Sequence, residues 1–105
     1  MTDAIVVLCT CPDQESADRL CHALLEARLA ACINQLPGIT SVYRWEGKVE
    51  RATETQLVIK SAARHATAIE ACILAHHPYQ VPEILVLPVN GGHAPYLAWI
   101  DEETR

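Results

Sequence analysis

One alternating stretch is too long for the chain that carries it, and it constrains the fold more than any other feature. From Lys48 to about Ser61, Val49, Thr53, Thr55, Leu57 and Ile59 alternate with Lys48, Glu50, Glu54, Gln56 and Lys60. This is the period-two pattern of a β-strand. Upstream, "CINQL" and "ITSVYRW" read as its partner, broken at Pro37-Gly38 by a bulge. Glu46-Gly47 supplies a two-residue turn. About thirteen residues at roughly 3.3 Å each span about 43 Å. A compact chain of this size has a radius of gyration of about 13 Å and a diameter of roughly 33 Å. The hairpin should therefore overhang its own subunit. A lone two-stranded ribbon is marginal in water, so the overhang predicts an oligomer whose other chains support it.

The remaining elements fall around the hairpin. "AIVVLCT" (4–10) is a continuous β-rich apolar run, the mark of a strand buried on both faces. Asp13 is placed to cap a helix over roughly 14–29. There Ala17, Leu20, Cys21, Leu24 and Leu25 recur at helical spacing, with Cys21 in the core stripe. Residues 65–76 form a second helix with Ile69, Cys72 and Ile73 inward, stopped by Pro78, which pushes the residue before it out of the α region. "EILVLPV" reads as another doubly buried strand. Pro95 opens a short last helix over "YLAWIDEE". The order βαββαβ plus a terminal helix is an α+β plan, the split βαβ, ferredoxin-like arrangement with helices on one face of an antiparallel sheet.

The totals exclude several function classes. A length of 105 residues suits one domain over 1–105. The net charge is −5 and the eight Lys and Arg are scattered, so no basic patch offers itself to nucleic acid or an anionic membrane surface. No apolar stretch is long enough for a membrane span. The opening Met-Thr-Asp-Ala lacks the basic and apolar regions of a signal peptide, which makes a cytoplasmic location the expectation. Five cysteines, Cys9, Cys11, Cys21, Cys32 and Cys72, are an odd count without a secretory signal. They read as buried small hydrophobes, ligands or reactive thiols, not as a disulfide framework. No nucleophile–base pair, phosphate loop or zinc-protease motif occurs, so an enzyme is not expected.

Soft and imidazole ligands are the remaining chemistry. Cys9 and Cys11 close the first strand. Positions i and i+2 share a face about 6–7 Å apart. One metal held by both sulfurs at about 2.3 Å needs them less than about 4 Å apart, so a straight strand would not chelate with both. Cys9 also fits a plain core position, and Cys11 reads as the more accessible of the two. His76 and His77 diverge by about 100° while both are helical, and they also read as imidazoles favouring the helix C-terminus. Topology adds to this. Strand one and helix two run the same way, so Cys9, Cys11, His76, His77 and Glu83 meet at one edge. Such a mixed Cys/His set suits Cu(I), Zn(II) or Cu(II) better than Mg or Ca. His22, His65 and His93 read as surface residues.

The stretches "VVLCTCPD" (6–13), "LAACINQLPGITSVYRWEGKVE" (29–50), "HHPYQVPEILVLPVNGG" (76–92) and "YLAWI" (96–100), in this order and spacing, closely resemble the CutA divalent-cation tolerance family over nearly the whole chain. The resemblance implies a ferredoxin-like subunit in a tight homotrimer, with long hairpins running along neighbouring subunits. It implies a cytoplasmic role in tolerance to copper and other divalent cations, by metal binding and not by a reaction. It carries proposed copper ligands onto Cys9, His76 and His77. It also carries an interfacial cleft onto Tyr43, Trp45, Lys60, Tyr79, Glu83, Tyr96 and Trp99. Cys11 departs from the family pattern, which is variable there, and offers a possible extra thiolate. Two other readings stand beside metal tolerance: a trimeric ligand-binding signalling module similar to PII proteins, with "YRWEGK" at the hairpin tip, and a stable assembly scaffold.

Overall fold

The computed structural model describes residues 2–105. In chain order the elements are β1 (Ala4–Cys11), α1 (Gln14–Glu26), β2 (Cys32–Trp45), β3 (Lys48–Ala62), a 3-10 turn (Ala63–His65), α2 (Ala66–His76), β4 (Leu85–Pro88) and α3 (Ala94–Glu103). The strands lie side by side as β2-β3-β1-β4, every pairing antiparallel. This is the ferredoxin-like α+β plan expected from the element order.

The hairpin is as long as the alternation implies. β2 has 14 residues and β3 has 15. Glu46 (φ 48°) and Gly47 (φ 81°) both occupy the left-handed region, as the twist-matched two-residue hairpin turn requires. The register slips between Leu36 and Ile39, where Gly38 (φ 71°) makes the bulge. The molecule measures 44 × 26 × 22 Å, so the ribbon sets the long axis. Val42, Tyr43, Trp45 and Val49 at its far end are exposed.

The core lies between one face of the sheet and the two helices α1 and α2. Alternation sends Ile5, Val7, Cys9 and Cys11 of β1, with Leu57 and Ile59 of β3, to that side. There they meet Ala17, Leu20, Cys21 and Leu24 of α1 and Ile69 and Ile73 of α2. Asp13 caps α1, its Oδ1 accepting the Ser16 N–H at 2.8 Å. The same face order leaves Val6, Leu8 and Val58 only half-buried on the second side. α3 packs against β1 and β3, where Ala4, Ala62 and Ile100 are buried.

Two expectations are corrected. α1 stops at Glu26, three residues short of the predicted end. Arg28 takes a left-handed φ of 57°, and the Arg28 and Leu29 N–H groups donate to the Leu25 and Leu24 carbonyls at 3.0 and 2.9 Å. This is a Schellman closure built without glycine, so no punctuating residue announced it. The doubly buried strand over "EILVLPV" shrinks to Leu85–Pro88, with Leu85, Val86 and Leu87 exposed. β4 is an edge strand, paired only with β1, and its apolar side chains outnumber what this chain can cover. Among the described residues no helix is long and apolar enough to cross a membrane.

Leu57 is fully buried, so Leu57→Ala is expected to cost about 2–5 kcal/mol of unfolding free energy. At Gly47 nothing lies within 4 Å of an added Cβ, and Gly47→Ala should cost only about 1–2 kcal/mol, through its left-handed backbone. Denaturant unfolding followed by circular dichroism ranks the two, and the reverse order would contradict this placement of the core.

Candidate metal centre

β1 and α2 deliver three donors to one point. β1 stays paired to its last residue, with Cys9 opposite Leu57 and Cys11 opposite Thr55, so both thiols are held on the helix-facing side. α2 ends against Pro78, which leaves His77 extended (φ −82°, ψ 139°), its N–H still bonded to the Ile73 carbonyl at 2.8 Å. The ring is thereby turned inward. The ligand atoms of Cys9, Cys11 and His77 all lie within 4.8 Å of one another, and all three residues are buried. The two sulfurs thus come closer than the backbone spacing of a straight strand suggested. Cys11, expected to be accessible, has no exposed surface, because it lies in the buried cluster between the sheet and the helices.

The cluster holds its protons in a defined way. Cys9 donates toward the Cys11 sulfur, and this bond, with burial and the nearby Glu83 carboxylate, pushes the Cys9 thiol well above the usual range. The same bond supports a thiolate on Cys11 and draws that thiol below its usual value. His77 is fixed as one tautomer. Its Nδ1 accepts the Tyr79 N–H at 3.0 Å, so Nε2 carries the proton and donates to the Thr10 carbonyl at 2.8 Å. The ring also packs on Tyr79, centroids 4.9 Å apart. The donor set therefore fits a soft or borderline cation, once the Cys9 proton leaves and one His77 hydrogen bond is surrendered.

His76 is not brought to this cluster. It is exposed, with Nδ1 2.9 Å from the Cys72 carbonyl and 3.9 Å from the Cys72 sulfur. Neighbouring helical residues diverge, and only His77 is freed by the proline. Among the other histidines, His22 pairs with Glu26 at 2.7 Å on the surface, and His93 is exposed at the start of α3. His65 is tied to the Thr104 carbonyl through Nε2 at 2.5 Å, a latch on the C-terminus that its spacing did not reveal.

Beside the cluster opens a groove of about 1150 Å³ between the hairpin and the loop after α2. Tyr43, Trp45, Tyr79 and Glu83 line it, together with Thr10, Ser41 and Glu54. Glu83 accepts a hydrogen bond from the Thr10 hydroxyl at 3.2 Å, which ties the groove wall to β1 between the two cysteines. Glu54 is buried and accepts from the Tyr79 hydroxyl at 2.8 Å. Alternation placed Glu54 on a polar face and gave no sign that Tyr79 would cover it. The other cleft candidates lie apart from the groove. Tyr96 and Trp99 stack on α3 with centroids 5.7 Å apart. Lys60 bonds to Asn34 and lies 3.9 Å from the Cys32 sulfur.

A four-stranded antiparallel sheet with two helices on one face, an overrunning hairpin and a buried Cys–x–Cys and histidine at the end of β1 define a ferredoxin-like protein of distinctive build. The family model described as "CutA1 divalent ion tolerance protein" matches residues 5–103. A divalent-cation tolerance protein CutA of Pectobacterium atrosepticum is 50% identical over 105 residues, spanning 100% of this chain and 96% of its own. The crystal structure of CutA from Xylella fastidiosa superposes with a TM-score of 0.96 at 43% identity, covering 99% of this chain and 100% of that one. The structure of the periplasmic divalent cation tolerance protein CutA of Archaeoglobus fulgidus gives 0.93 at 36% identity, covering 97% and 99%. The chain belongs to the CutA divalent-cation tolerance family.

The Tyr79–Glu54 contact yields a pH prediction. Partial burial, then the Glu54 hydrogen bond and charge, raise the Tyr79 phenol to about 12. A raised folded value means the contact stabilises the fold fully below the ordinary tyrosine range and is lost as pH climbs through about 12. Glu54→Gln should lower the Tyr79 value part of the way toward 10.0, read from tyrosinate absorbance. An unchanged titration would show that the carboxylate does not act on this phenol.

Proposed function

We propose that this chain serves cation tolerance by holding a soft or borderline metal ion, copper foremost, at Cys9, Cys11 and His77. The convergence of these three donors within 4.8 Å carries the reading. Thiolate and imidazole ligands select Cu(I) and Zn(II) over hard cations, and three protein donors with no hard oxygen ligand suit Cu(I) best. The family description names ions to be tolerated and no reaction, and no residue pair here calls for one. His76 is the weakest member of the expected ligand set, since it would have to leave its own helix to join. Among the described residues all five cysteines are free, which suits a reducing cytoplasm.

The working form is a homotrimer in this reading. Val6, Leu8 and Val58 on the second sheet face, with Leu85 and Leu87 beside them in register, form a partly exposed apolar surface that a second copy could cover. The overhanging hairpin supplies an arm that a neighbour can hold. Both features are met by copies packing sheet to sheet with hairpins laid across one another.

Equilibrium dialysis against Cu(I) under reducing conditions tests the site. The unaltered chain should retain a tight ion that Cys9→Ser and His77→Gln each release, with affinity falling by about tenfold or more. His76→Gln should leave this ion in place. Equal retention in all three variants removes the site. Sedimentation velocity should give a species of three chains, and a monomer at micromolar concentration would contradict the assembly.

A further inference from the structure

α2 buries Ile69 and Ile73 against the sheet, which leaves Cys72 at the margin of the core and His76 exposed. Residues four apart on a helix stand one above the other. Here the Cys72 sulfur lies 3.9 Å from His76 Nδ1. A cation bound to a thiolate at about 2.3 Å and an imidazole at about 2.0–2.1 Å sets its donors about 3.6 Å apart at a tetrahedral angle and about 4.4 Å apart when linear. The observed separation falls inside that window. The pair shares no donor with the buried cluster.

We propose that Cys72 and His76 form a second cation site, a helix-surface chelate for a soft ion such as Cu(I), Cd(II) or Zn(II). His76 Nδ1 also lies 2.9 Å from the Cys72 carbonyl, so in the resting state Nδ1 carries the ring proton and donates it there. On binding, that proton passes through solvent to Nε2, and the Nδ1 lone pair forms the nitrogen–metal bond. The Cys72 thiol proton leaves to water as the sulfur–metal bond forms, and no electrons change hands. Two protein donors leave coordination positions open to water or to an arriving ligand. An ion there exchanges readily, in contrast with one enclosed by Cys9, Cys11 and His77. The site accounts for His76, which the cluster excludes, and it stands or falls independently of that cluster.

Cd(II) is the probe, because its thiolate bond gives an ultraviolet charge-transfer band. His76 is exposed, and Cys72→Ser is a nearly isosteric change at the margin of the core. Cys72→Ser should remove one Cd(II) per chain relative to the unaltered protein. His76→Gln should weaken that same ion by about tenfold or more. Iodoacetamide labelling, read by peptide mass, should show Cd(II) protecting Cys72 in the unaltered chain and failing to protect it in His76→Gln at the same concentration. If Cd(II) leaves the Cys72 labelling rate unchanged, there is no site. If protection and affinity persist in His76→Gln, the cysteine acts alone and the chelate is refuted.

Discussion

The antiparallel pairing of β1 with β3 is the interaction on which the rest of the structure depends. It runs unbroken from Ala4 opposite Ala62 to Cys11 opposite Thr55. It uses the second half of β3, whose first half runs on beyond Thr55 into the overhanging hairpin. Held straight by that partner, β1 presents Ile5, Val7, Cys9 and Cys11 to the helices as one row. The upper half of the row fills core. The lower half, still within the same buried cluster, is a pair of sulfurs that meet His77 at the end of α2. One backbone ladder thus fixes both the core and the donor cluster.

The cluster's chemistry follows from its enclosure. Two thiols shut away from water are pushed apart in acidity, Cys9 up by its bond to Cys11 and by burial, Cys11 down by the same bond. His77 is pinned at both nitrogens, by Tyr79 and by Thr10. A cation entering must displace the Cys9 proton and break one of those bonds. Under the proposed role it would gain three preoriented ligands with little ordering left to do. Selectivity would come from the same source. The donors are soft, and the nearest carboxylates, Glu83 and Glu54, are already engaged with Thr10 and Tyr79.

Much of the fold could be read in the sequence because local signals agreed with it. Period-two alternation marked β3, Glu46-Gly47 its turn, Asp13 the start of α1, and Pro78 the end of α2. Each of these acts through neighbours in sequence. Where the deciding contact was distant, the reading failed or was silent. The end of α1 depends on Arg28 entering the left-handed region, which no glycine announced. The apolar run of β4 looked like interior but is an edge, since hydrophobicity does not say which chain will cover it. Topology brought Cys9, Cys11, His76 and His77 to one edge, but it revealed neither the exclusion of His76 nor the distance between the sulfurs, which depend on side-chain direction. The burial of Glu54 under Tyr79 and the turn of His76 toward Cys72 are tertiary outcomes of the same kind.

The central claim is that sulfur from Cys9 and Cys11 and nitrogen from His77 bind one ion together. X-ray absorption at the copper edge reads that most directly, on Cys72→Ser protein loaded with one copper per chain so that the surface pair is silent. The structure predicts a shell of two sulfurs and one imidazole nitrogen around each copper. A shell of nitrogen and oxygen alone would place the ion elsewhere and contradict the account.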